Sequence, residues 1–79
     1  MKAKVHVSLK DGVLDPQGRA IKNALNSIGF DGISEVRQGK YIEITLDDND
    51  KDSAIKRLNE MCEKLLANMV IEDYSVEID

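Results

Sequence analysis

The sequence is poor in the residues that build catalytic and metal centres. It has one cysteine, one histidine and no tryptophan, and only three aromatic residues, Phe30, Tyr41 and Tyr74, among 79. One cysteine excludes an internal disulfide and any multi-cysteine metal site. One histidine, His6, excludes a histidine cluster. No apolar run is long enough to span a bilayer, and the chain begins on a strand-like pattern rather than a secretory leader. A cytoplasmic location is therefore expected, where a lone thiol stays reduced. The single proline, Pro16, and five glycines leave long stretches free for regular structure.

A net charge of −4 weighs against a polyanionic partner, because nucleic acid binding needs a basic surface that neutralises several phosphates. Lys2, Lys4 and Lys10 do cluster, but on one face of a strand that reads as solvated. At this length the whole chain, 1–79, forms one domain with a thin core, and oligomerisation is a common remedy for that.

Residues 2–10 alternate, with Ala3, Val5, Val7 and Leu9 on one side and Lys2, Lys4, His6 and Ser8 on the other. Period two over this length predicts a half-buried strand. Asp15-Pro16 predicts a helix start, since the carboxylate can accept from free first-turn N–H groups and proline suits the first helical position. Ala20, Ile21, Ala24, Leu25 and Ile28 form its stripe, giving a helix over 15–28. A second strand is predicted over 33–38, a tight reversal at Gly39-Lys40, and a third strand over 41–46. A second helix follows, its stripe being Ile55, Leu58, Cys62, Leu65, Leu66 and Met69, with Asn68 as a left-handed cap. A last strand covers 71–78. The order β-α-β-β-α-β predicts an α+β, ferredoxin-like sandwich: a four-stranded antiparallel sheet with two helices on one face.

No constellation of residues carries chemistry. Asp48-x-Asp50-x-Asp52 starts like a calcium loop, but Ser53 replaces the turn glycine and Asn59 the bidentate glutamate. The run reads instead as helix-capping acid. Cys62 lies on an apolar stripe without an activating neighbour and reads as a core residue. There is no phosphate-binding glycine loop. Gly18, three residues past the predicted cap, weakens a helix by up to about 1 kcal/mol relative to alanine. It reads equally as a close approach of another backbone or as a tolerated residue in a frayed turn.

Four segments, in order, carry a family resemblance. They are Asp15-Pro16-Gln17-Gly18, Val36-Arg37-Gln38-Gly39-Lys40-Tyr41-Ile42-Glu43-Ile44, Met61-Cys62-Glu63-Lys64-Leu65-Leu66-Ala67-Asn68 and Ile71-Glu72-Asp73-Tyr74. Together they resemble the PurS subunits of phosphoribosylformylglycinamidine synthase, over nearly the whole chain. One departure is Met69, where that family often has proline. The resemblance implies a non-catalytic subunit in de novo purine synthesis, bridging a glutaminase subunit and a synthetase subunit and assisting ammonia transfer. It also implies a homodimer or higher homo-oligomer, and no nucleic acid or membrane partner. No cofactor is expected on this chain, since ATP and magnesium belong to the synthetase subunit. A second reading is a small-molecule-sensing regulatory domain of the ACT type, which shares the same element order.

No catalytic, cofactor or metal residue is assigned. Exposure in the predicted layout marks a candidate partner interface. It comprises Asp15, Pro16, Gln17, Gly18 and Arg19 at the first helix start, and Arg37, Gly39, Lys40 and Tyr41 around the predicted hairpin. The second strand, Glu35 to Gln38, is the edge expected to pair in a dimer.

Overall fold

A computed structural model describes all 79 residues. The elements run β1 (Lys2–Leu9), α1 (Pro16–Ser27), β2 (Gly39–Thr45), α2 (Lys51–Met61), a π-helical turn (Cys62–Leu66) and β3 (Glu72–Ile78). The sheet has three strands in the order β2-β1-β3, both pairings antiparallel. Val5 stands opposite Ile42 on one side and Val76 on the other, so the apolar residues of all three strands share one face.

That face is covered by α2 alone. The core consists of Ala3, Val5 and Val7 from β1, Leu46 just after β2, Ala54 and Leu58 from α2, then Cys62 and Ala67. No residue of α1 belongs to it or packs against it, and Gly18 is the only buried residue in that helix. α1 and the segment after it project from the sheet as an arm. The molecule therefore measures 49 × 25 × 15 Å, with a radius of gyration of 16.0 Å. A compact chain of this length would have a radius of roughly 12 Å.

The four-stranded ferredoxin-like sandwich is thus not the fold of this chain, because the sheet has three strands and one covering helix. Residues 33–38 are not a strand. They return alongside α1, where Lys22 Nζ donates to the Ser34 carbonyl at 2.9 Å and Gln38 Nε2 to Gln17 Oε1 at 2.6 Å. Gly39 and Lys40 do not form a reversal either, but open β2 opposite Ser8 and Val7. With no strand at Glu35–Gln38, the dimer contact expected along that edge has no structural basis. The element order shared with ACT domains falls with the missing second strand.

The stripe of α2 holds as far as Cys62 and then changes phase. The Ala67 N–H donates to the Cys62 carbonyl, five residues back, at 2.9 Å. This wider turn rotates Leu65 away from the core, leaving it 83% exposed. Asn68 is not a left-handed cap, since no residue other than glycine has positive φ. The helix stops because Ala67 is extended, and the Asn68 side chain then accepts from the Val70 N–H at 3.1 Å.

Candidate functional site

The arm root gathers most of the candidate interface residues. Asp15, Pro16, Gln17, Gly39 and Lys40 line one open cleft of about 510 Å³, together with Leu9, Gln38 and Glu72. Asp15, Arg19 and Arg37 line an adjoining one of about 410 Å³. Gly18 lies beneath, and an added Cβ there would stand 2.2 Å from the Val36 carbonyl oxygen. A Cβ at Gly39 would stand 2.5 Å from the carbonyl oxygen of Val7. Both glycines therefore permit a backbone to pass where no side chain fits, which decides the open reading of Gly18.

Asp15 is the one buried charged residue, 8% exposed. Its Oδ1 accepts from the Gly18 N–H at 2.8 Å, capping α1, and its Oδ2 accepts from the Gln38 N–H at 2.7 Å. These bonds, that from Gln38 foremost, hold its carboxyl below the usual carboxylate range, with help from the charge of Arg37. The Arg37 guanidinium donates to the carbonyls of Val13 at 2.9 Å, Lys10 at 3.1 Å and Leu9 at 3.3 Å. Lys40 reaches across to the Leu66 carbonyl at 3.1 Å. Arg19 donates its backbone N–H to the Asp15 carbonyl at 3.0 Å, while its guanidinium makes no hydrogen bond or ion pair.

Tyr41 is elsewhere. It lies on the open face of the sheet, its hydroxyl donating to Glu43 at 2.9 Å and its ring 5.0 Å from that of His6. Glu43 also pairs with Lys2 at 3.0 Å. This bond and that from Tyr41 keep the Glu43 carboxyl low, while the same carboxylate raises the lysine and the phenol. Lys4 faces Asp79 at 3.7 Å and Lys10 faces Asp73 at 2.7 Å. Lys2, Lys4 and Lys10 are thus each matched by an acid, from β2, β3 or the residue after it.

What sequence reasoning missed is apolar. Leu14, Ile21, Ile28 and Phe30 on the arm are all exposed, Ile28 by 72%. On the body, Ile44, Met61, Leu65 and Leu66 line a groove of about 390 Å³ beside α2. Val70, also 83% exposed, follows it. The signal lay in Ile28 and Phe30, two large apolar residues flanking the helix-ending Gly29 without strand alternation. Cys62 is fully buried, and burial pushes its thiol above the ordinary range, so it stays protonated and non-nucleophilic at neutral pH. Asp50 caps α2 through the Asp52 N–H at 3.2 Å, and Asp48 pairs with Arg57, which gives both acids a structural duty.

The chain is thus an arm with an uncovered apolar stripe on a body with an uncovered groove. Its relatives share that shape. The family model for PurS, phosphoribosylformylglycinamidine (FGAM) synthase, matches residues 2–79. The chain belongs to the PurS family. It is 53% identical over 78 residues to the phosphoribosylformylglycinamidine synthase subunit PurS of Bacillus subtilis, covering 99% of this chain and 92% of that protein. The crystal structure of Methanocaldococcus jannaschii PurS superimposes with a TM-score of 0.89 at 44% identity, over 99% of this chain and 94% of that one. A chain in the structure of PurLQS from Thermotoga maritima matches at a TM-score of 0.87 and 31% identity, covering 96% and 93%. PurS relatives therefore share both the fold and its extent. No helix of this chain is long and apolar enough to cross a membrane.

Proposed function

We propose that this chain is the small, non-catalytic subunit of a phosphoribosylformylglycinamidine synthase assembly, working in the cytoplasm. It bridges a glutaminase subunit and a synthetase subunit, so that ammonia released by one is used by the other. The observation that carries this reading is the match over residues 2–79 to a family one of whose members is seen in PurLQS. Glutamine hydrolysis needs an activated nucleophile, and the only thiol here is buried and protonated. Following the family resemblance, we assign ATP and magnesium to the synthetase subunit and no cofactor to this one.

The uncovered apolar surface supports a homodimer as the working unit. α1, twelve residues long, would be marginal in water without packing on its stripe. A second copy offers both the missing stripe and the missing groove. The test is co-purification of the tagged chain with the two larger subunits, with and without glutamine and ADP. All three subunits are expected in one peak with both ligands present. Elution of the chain apart from both larger subunits under every condition contradicts the reading.

A further inference from the structure

The arm meets the sheet at one place, and what ties them there is polar. No α1 residue joins the apolar core. Instead, the buried Asp15 carboxylate joins the helix start to the returning chain, accepting from Gly18 and Gln38. Arg37, on that returning chain, forks onto the Leu9, Lys10 and Val13 carbonyls of the departing one. Each pin spans the two passes of backbone that enter and leave the arm. Charge-assisted hydrogen bonds are directional and strong, whereas apolar packing has no preferred direction. These bonds hold an orientation as well as a distance.

We propose that Asp15 and Arg37 form a latch that sets the direction in which the arm leaves the sheet. They are positioning residues for assembly, keeping the α1 stripe and the body groove in one fixed relation for a partner chain. This rests on the reading that the chain works by assembling. A partner that must contact arm and body together binds only the latched orientation, so its apparent affinity falls in proportion to the latched fraction. Lysine at position 37 keeps the charge but cannot reproduce a planar fork over several carbonyls.

The experiment uses Arg37→Ala and Arg37→Lys in the full chain, with two readouts. Amide hydrogen exchange reports the root and the sheet separately. Titration of each chain into the glutaminase and synthetase subunits reports the concentration for half-maximal glutamine-dependent synthesis and the plateau rate. Both variants should exchange faster at Gly18 and Gln38 while β1 keeps its protection. Their half-saturating concentration should rise roughly tenfold or more, the scale set by losing charge-assisted bonds that bias a two-state equilibrium, with the plateau retained. An unchanged half-saturating concentration overturns the latch. So does a lowered plateau without a shift, or loss of β1 protection in step with the root, which would make Arg37 a general stabiliser of the fold. If wild type itself restores no synthesis, the assembly reading fails instead. The latch is then judged on exchange alone, and unchanged protection at Gly18 and Gln38 overturns it.

Discussion

Asp15 shows how much a single side chain does at the arm root. Its carboxylate satisfies two backbone donors, one of them 23 residues away, and its pKa is lowered chiefly by the bond from Gln38. A group whose folded pKa is depressed contributes stability above its unfolded pKa and loses it as pH falls through the folded value. Protection of the Gly18 and Gln38 amides should therefore hold through neutral pH and fall below the ordinary carboxylate range. Asp15→Asn should remove that acid-dependent step, leaving a weaker and flatter profile. Exchange measured across the acid range checks this, and an identical acid step in both proteins would assign it to another group. Sequence reasoning found Asp15 as a cap because its partner, Gly18, is local. The second bond, to Gln38, was not legible, since nothing in the pattern joins positions so far apart. The three-carbonyl duty of Arg37 was hidden for the same reason.

At the scale of elements, period two located all three strands and helical spacing located both helices. Alternation in β1 placed Ala3, Val5, Val7 and Leu9 on one side; the first three are fully or almost fully buried, whereas Leu9 is half-buried and outside the core. The predicted second strand failed because residues 33–38 spend their polar groups on the arm, through Lys22, Gln17 and Asp15, instead of on a sheet edge. The stripe of α1 was read correctly as a stripe, but amphipathicity does not say which chain supplies the other side. Replacing Ile21 and Ile28 by Asp tests this directly. Both are exposed in the monomer, where surface changes cost within about 0.5 kcal/mol. In an assembly that buries them, each isoleucine contributes about 1.5–3 kcal/mol, or roughly ten- to a hundredfold in affinity. The double variant should keep its sheet by circular dichroism and its α2 protection, yet sediment as a weaker oligomer. Unchanged sedimentation would move the interface off the α1 stripe.

The whole molecule is an elongated body and arm with apolar surface on both. The apolar core takes in α2 and leaves the α1 stripe uncovered. The chain belongs to the PurS family of phosphoribosylformylglycinamidine synthase subunits, and a PurS relative is seen in the structure of PurLQS. The most direct test is the rate at which glutaminase and synthetase subunits form phosphoribosylformylglycinamidine from glutamine, with and without this chain, beside the rate from added ammonia. Adding the chain should restore the glutamine-dependent rate and leave the ammonia-dependent rate of the synthetase subunit little changed. A full glutamine-dependent rate in its absence would contradict the account.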